Sequence, residues 1–381
     1  MSPLPPKPAR PLRTALIGAG IFAKRTHLPT ILSQKSCFTL VAVHSRSRKS
    51  ASALHSAISD TETRNDVRLY HEEDGSNNLA ALLANPEIDV VVIALPVGAQ
   101  EEVVKRALQT GKHVFSEKPV AGTAAAAREL VDWYAATASP RPVWAVAENW
   151  RAEPAVLYAA ELVRTRGHGV VRSFSLSCLL ETKPDNQYVA TGWRVGTGSV
   201  VTGGFLMDGG VHWIAMLRAC LGGEIARVAA FTGLALPYCA PVDTVSGAVI
   251  VTPSPAGGTG AAGTINICFA ASGRPFEISM TIICETGTVS VRCGPAKTGG
   301  GARVFTVTWT PEGGEGEETQ EFGFAGFEAE FQHFANLVKG ESSDGQLDGR
   351  LDLSPLQACA DVLVVEALIK SGEQGGAPVN I

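Results

Sequence analysis

A chain of 381 residues exceeds what one hydrophobic core ordinarily serves, so two domains are expected. With 45% hydrophobic and 18% charged residues it reads as folded rather than disordered. A formal charge of −5 excludes nucleic acid as a principal direct partner, because phosphate backbones are bound by clustered Lys and Arg.

The Pro-rich start, with Lys7, Arg10 and Arg13, contains no apolar segment of signal-peptide type, and no apolar run in the chain reaches membrane-spanning length. The eight cysteines include no C-x-x-C pair and sit mostly in apolar runs, as reduced buried thiols do. A cytoplasmic protein is expected, with a disordered tail over residues 1–12, no membrane association and no metal site.

The next third alternates between two periods. Thr14–Gly18, Phe38–His44, Val67–Tyr70, Asp89–Leu95, His113–Ser116 and Val143–Ala147 read as strands. Between them, Phe22–Ser33, Ser50–Ile58, Leu79–Ala84, Gln100–Thr110 and Ala124–Ala136 read as helices. The run DVVVIAL at 89–95 is nearly continuous and β-branched, the texture of a strand buried on both faces. Strands alternating with helices imply a parallel, doubly wound sheet over residues 13–148.

Beyond Asn149 the texture changes. A helix over Ala155–Arg166 leads into seven strand-like runs between Val170 and Thr308, separated by glycine-rich turns. Gly313–Glu318 reads as an exposed loop, and helices follow at Phe327–Lys339 and Leu356–Lys370. Residues 149–381 are therefore expected to form an α+β domain around a large, mostly antiparallel open sheet, its last helix packing back on the first domain.

Four short segments carry the chemistry. Gly18-Ala19-Gly20-Ile21-Phe22-Ala23 fits G-x-G-x-x-[G/A] between a strand and a helix. Gly18 permits the tight turn, Gly20 lets backbone amides approach a pyrophosphate, and small Ala23 allows close helix–strand packing, with the helix N-terminus facing the phosphates. The second strand ends in His44-Ser45-Arg46-Ser47-Arg48-Lys49, with no carboxylate before Asp60. An acid there would hold a ribose 2′-hydroxyl, whereas hydroxyls and cations suit a 2′-phosphate, so Ser45, Arg46, Ser47 and Arg48 point to NADP(H). Cations opening a helix oppose its dipole, which favours a bound anion over a merely solvated helix start.

The fifth strand ends in Ser116-Glu117-Lys118-Pro119, at the carboxyl edge where ligands of parallel sheets bind. Later, Gly203-Gly204-Phe205-Leu206-Met207-Asp208-Gly209-Gly210-Val211-His212-Trp213 places Asp208 and His212 one helical turn apart. The pair suits proton transfer, with the carboxylate orienting the imidazole; equally, Asp208 could cap a helix with His212 packed beneath it.

Taken together, the glycine turn, the Glu117-Lys118-Pro119 signature and the Gly203-Gly204…Asp208…His212 element resemble the glucose–fructose oxidoreductase / inositol dehydrogenase (Gfo/Idh/MocA) family. The resemblance spans nearly the whole chain. It implies a Rossmann domain followed by an α/β domain whose sheet often serves oligomerisation, here a homodimer or higher homo-oligomer. It implies Lys118 as the active-site lysine, His212 as acid/base and Asp208 as its acidic companion.

Leu95-Pro96 aligns with the family's cofactor-lining loop, although Val97 and Gln100 stand where many members carry Asn and His. Glu117 and Gln100, with Trp150 and Arg151 of the Glu148-Asn149-Trp150-Arg151 run, are expected beside the cofactor. Tyr188, Trp193, Arg194 and Trp213 are expected beside the substrate, the tryptophans serving as sugar-stacking surfaces or as core. The expected activity is NADP(H)-dependent hydride transfer on a sugar, polyol or secondary-metabolite carbonyl. Alternatives are a non-catalytic NADP-binding regulator of the same fold and a redox-neutral enzyme with tightly bound cofactor.

Overall fold

A computed structural model describes residues 10–137, 139–167, 170–192, 194, 201–252, 260–295, 303–341 and 351–381. The first sheet is built from β1 (Leu12–Ile17), β2 (Phe38–Ser45), β3 (Arg68–His71), β4 (Val90–Ile93), β5 (His113–Glu117) and β6 (Trp144–Ala147). All pairings are parallel and the order is β3-β2-β1-β4-β5-β6, which puts the reversal of strand order between β1 and β4. Ligands of such sheets lie outside the carboxyl ends of the strands at that reversal.

Six helices connect these strands: α1 (Leu28–Ser33), α2 (Arg48–His55), α3 (Thr61–Asp66), α4 (Leu79–Ala84), α5 (Val97–Gln109) and α6 (Ala124–Ala135). Their starts are set locally. The side chains of Ser47, Asp60, Asn78 and Thr123 each accept the amide three residues on, satisfying a donor that the helix leaves orphaned. Between Gly20 and α1, residues Ala23–His27 form a π-helical turn, which seats His27 in the interior. α3 buries none of its residues, so no apolar period announces it in the sequence.

After the short α7 (Asn149–Ala152) and α8 (Pro154–Thr165) comes β7 (Val171–Leu179), then the long α9 (Gly204–Leu221). Strands β8 (Ile225–Gly233), β9 (Thr244–Val251), β10 (Ala262–Cys268), β11 (Glu277–Cys284), β12 (Gly287–Pro295), β13 (Arg303–Pro311) and β14 (Glu318–Phe322) follow. Helices α10 (Gly326–Lys339) and α11 (Pro355–Glu373) precede a last short strand, β15 (Val379–Asn380). Among the described residues these strands form one sheet in the order β14-β13-β12-β11-β7-β10-β9-β8-β15, antiparallel except for β7–β10. The exposed loop expected at Gly313–Glu318 therefore gives way at its end to an edge strand, whose exposure hides any alternating pattern.

Both C-terminal helices reach back to the first sheet. In α10, Phe331 and Phe334 pack on Phe115 of β5 with ring centroids 4.8 and 5.0 Å apart. In α11, the Glu366 carboxylate accepts the Ala124 amide that opens α6, at 2.8 Å. Such contacts hold the two sheets in fixed register around the cleft between them.

Two buried carboxyls lie in the seam where α7 and α8 meet α10. Glu153 accepts the Ala325 amide (3.1 Å), while Glu330 keeps an interior oxygen without a hydrogen-bond partner among the described residues. Burial pushes Glu153 up to about 7 and Glu330 well above the usual carboxylate range. A folded-state pKa above the unfolded one gives stability that is full below the unfolded value and lost as pH rises through the folded value. Glu153 alone is expected to remove about 2–3 kcal/mol between pH 5 and 8. Urea midpoints at the two pH values test this: if the wild type and Glu153→Gln change in parallel, Glu153 is not the source.

Candidate active site

At the end of β1 the chain turns sharply at Gly18, whose φ of +112° and whose closeness to the Ala94 carbonyl leave no room for a side chain. A Cβ on Gly20, by contrast, would meet nothing within 4 Å. The backbone there faces open space at the mouth of the strand reversal, as a pyrophosphate cradle requires. Ile21, Phe22 and buried Ala23 continue that wall. Phe22 is braced edge-on by Phe327 of α10, with centroids 5.7 Å apart.

The cleft has a volume of about 560 Å³. On the first-domain side it is lined by the glycine turn, Ala94, Leu95, Pro96, Val97, Glu117 and Lys118. From the second domain come Tyr188, Thr191, Arg194, Asp208, Gly209 and His212. The dinucleotide elements and the Lys118, Asp208 and His212 motifs, distant in sequence, thus share one cavity. Trp193 lies outside the described residues.

Within the cavity the charges form two separate groups. Lys118 Nζ donates to the Asp208 backbone oxygen (2.7 Å) and to Asp208 Oδ1 (3.0 Å), while Arg194 Nε donates to Asp208 Oδ2 (2.7 Å). Burial opposes ionisation of Asp208, but Lys118 and Arg194 outweigh it and hold the carboxyl far below its usual range. His212 belongs to the other group: its Nδ1 lies 2.7 Å from Glu148 Oε1. Glu148 is fully interior. Burial raises its pKa, yet His212, Lys118 and Arg151 bring it below the ordinary value.

This corrects the sequence-based pairing of Asp208 with His212. Asp208 sits one turn inside α9, which begins at Gly204, so it is neither a helix cap nor the acid on the imidazole. Glu148 takes that place from the end of β6. Applied to β6, the strand-end rule that singles out Lys118 after β5 would have found it.

Other expected contacts fall elsewhere. Gln100 is buried and donates to the backbone oxygens of Glu117 (2.6 Å) and Pro119 (3.2 Å), bracing the turn that carries Lys118 instead of lining the cavity. The Lys118–Pro119 peptide in this turn is cis. Glu117 does line the cavity, with its Oε1 2.7 Å from His27 Nε2.

Trp150 is packed among Phe276, Phe305 and Phe324, with its ring 6.1 Å from that of His212; it backs the imidazole from the core. Arg151 faces away from the cleft, donating to both oxygens of Asp361 at 2.7 and 2.8 Å. Trp213 is a core residue against Phe269, at 5.3 Å. Ala94 and Thr191 line the cavity without having carried any sequence signal, whereas Val97 follows the expected Leu95-Pro96 loop and Gly209 belongs to the glycine-rich element.

At the far end of the crevice, Ser45 closes β2 and is buried, and Ser47 caps α2. Arg46 and Arg48 are exposed beside them. The acids nearest this edge come from the end of β3. Glu72 holds His44 Nε2 at 2.8 Å, and Glu73 accepts weakly from the Arg48 amide at 3.4 Å.

A parallel sheet in this order, a glycine cradle at its reversal and a Lys/His-lined cavity beneath it define a dinucleotide-binding oxidoreductase of two domains. Comparison with known proteins places it further. Residues 12–140 match the profile described as the oxidoreductase family with NAD-binding Rossmann fold, and residues 156–290 match the GFO/IDH/MocA C-terminal domain. The chain belongs to the Gfo/Idh/MocA oxidoreductase family.

It is 33% identical to dehydrogenase FPY6 of Fusarium mangiferae, over 95% of this chain and 97% of that protein. An oxidoreductase from Thermotoga maritima superposes with a TM-score of 0.74 at 25% identity, covering 97% and 98% of the two chains. The WlbA dehydrogenase of Bordetella pertussis, solved with NADH and UDP-GlcNAcA, gives 0.71 at 20% identity, covering 99% of each chain. At that identity the last likeness concerns the fold alone.

Proposed function

We propose that the chain is an NADP(H)-dependent oxidoreductase interconverting a carbinol and a carbonyl on a sugar, polyol or related polar small molecule. The observation that carries this reading is the convergence of Lys118, Asp208 and His212 on one cavity beneath the Gly20 cradle. When bound there, the nicotinamide supplies or accepts the hydride.

The chain's own residues do the rest. An ammonium has three donors; Lys118 spends two on Asp208, which leaves one for the substrate oxygen. Held in place, that charge stabilises negative charge developing on the oxygen. His212 has its Nδ1 committed to Glu148, so Nε2 is the nitrogen left to exchange the hydroxyl proton. Arg194, tied to Asp208, to the Tyr188 carbonyl (3.1 Å) and to Thr191 Oγ1 (2.9 Å), keeps the substrate wall polar, which favours hydroxylated substrates.

Preference for NADP(H) is supported by Ser45, Arg46 and Arg48 at the end of β2, where no carboxylate stands. A charge-assisted contact to a 2′-phosphate is worth roughly 1.5–3 kcal/mol. Arg46→Ala is therefore expected to weaken NADPH binding about tenfold or more while sparing NADH. Fluorescence titration with both reduced cofactors decides it: equal losses for the two would remove Arg46 from phosphate recognition. For the activity, NADPH oxidation is followed with pooled ketoses, aldoses and polyol-derived ketones. Tight NADPH binding with no turnover in any pool counts against the enzyme reading.

A further inference from the structure

We propose that Glu148 is the positioning residue that makes His212 a proton acceptor, forming with it a buried dyad that shares no hydrogen bond with the Lys118–Asp208–Arg194 group. The inference rests on the proposed reaction for its purpose, but its geometry stands apart from any substrate.

Glu148 is held from both ends. It follows β6 directly, and its Oε1 accepts the Trp150 amide at 3.2 Å as it caps α7. The same oxygen lies 2.7 Å from His212 Nδ1. One carboxylate oxygen thus fixes both the helix that carries Trp150 and the ring that Trp150 backs. A carboxylate can only accept, so the neutral imidazole must keep its proton on Nδ1. Nε2 then presents a lone pair, which is the form a general base needs.

Asp208 is not placed to do this: its oxygens accept from Lys118 and Arg194, whereas His212 Nδ1 lies on Glu148. The two acids divide the work: Asp208 orients the ammonium that polarises the substrate oxygen, and Glu148 orients and charges the base. In the oxidative direction the substrate hydroxyl would give its proton to Nε2 as the C=O bond forms, and the carbinol carbon would release its hydride to the nicotinamide. The resulting imidazolium is balanced by Glu148 in a water-poor interior, where such pairing is strong.

The groups facing Glu148 are His212 on α9, Lys118 beyond β5, Arg151 on α7, Glu330 on α10 and Asp361 on α11. Burial, with the acids around it, holds the Glu330 carboxyl well above the usual carboxylate range. Of these neighbours, His212, Lys118 and Arg151 favour the charged form of Glu148 against its burial.

The test uses the cofactor-free protein labelled with 15N-histidine, so it requires no substrate. The nitrogen shifts of neutral wild-type His212 are expected to report the proton on Nδ1; a proton on Nε2 overturns the dyad. Glu148→Gln retains an oxygen acceptor but removes the charge. Its His212 protonation midpoint is expected to move down by at least one pH unit, whereas Asp208→Asn leaves the tautomer unchanged. An unmoved midpoint in folded Glu148→Gln also overturns the assignment. Where a substrate is in hand, Glu148→Gln should lower kcat tenfold or more, move the acidic limb of the rate profile to lower pH, and leave KM for NADPH within twofold. If no substrate is turned over while the tautomer is as stated, the proposed reaction fails and the dyad stands.

Discussion

Replacing Lys118 with alanine is expected to lower kcat/KM by a factor of about a hundred to a thousand, the range seen when one preorganised donor to a developing oxyanion is removed. The size follows from the setting. Two of the ammonium's donors are spent on Asp208, so the remaining one is aimed and does not have to be reorganised as charge develops. The fold should survive, because Asp208 retains its contact with Arg194 and is not left as a bare interior charge. The loss should therefore appear in turnover, with little change in NADPH affinity or urea midpoint. Steady-state rates paired with NADPH titration separate these quantities. A variant that turns over at the wild-type rate removes Lys118 from the chemistry.

Asp361→Ala is expected to cost about 3–5 kcal/mol of stability, the usual penalty for breaking a buried ion pair from one side. Asp361 lies in the interior of α11 and receives Arg151 on both oxygens and Arg218 Nη1 at 2.6 Å. Arg218 has substitutes, since it also bonds Glu224 and Gln357. For Arg151 the side-chain hydrogen bonds described all go to Asp361, so most of the penalty falls there. Arg151 sits on α7, which Glu148 caps, so loosening it should also blur the seat of His212. Urea denaturation measures the first effect and the sharpness of the His212 resonance the second. A loss under about 1 kcal/mol would show that the two guanidiniums reach water without Asp361.

The parts of the site that could be read from the chain are those that one strand end specifies by itself. Gly18 is dictated by a turn with positive φ, and the strand-to-helix order around it identifies the cradle without any long-range information. Lys118 follows from its place at the carboxyl edge of a parallel strand, and the spacing of Asp208 and His212 follows from helical periodicity. Misreadings arose where a side chain's partner lies far along the chain. Arg151 next to the cleft residues looked like a cofactor contact, but Asp361, 210 positions later, claims it. Gln100 occupies an expected cofactor-side position, yet bonds backbone oxygens 17 and 19 residues away. Trp150 and Trp213 have nothing in their own sequence to separate a stacking surface from core, because only the packing of Phe276, Phe305, Phe324 and Phe269 decides it.

By itself, then, the amino-acid order determined a doubly wound sheet, its glycine turn and which side chains are proposed to react. Each depends on a local rule of periodicity, turn geometry or position at a strand end. Tertiary structure alone decided which charge meets which. Packing of α9 against the end of β6 pairs His212 with Glu148 and leaves Asp208 to Lys118 and Arg194. The physical reason is that an ion pair is set by a few ångströms in space. Residues 64 and 90 positions apart reach that distance only when two sheets have packed around one cleft.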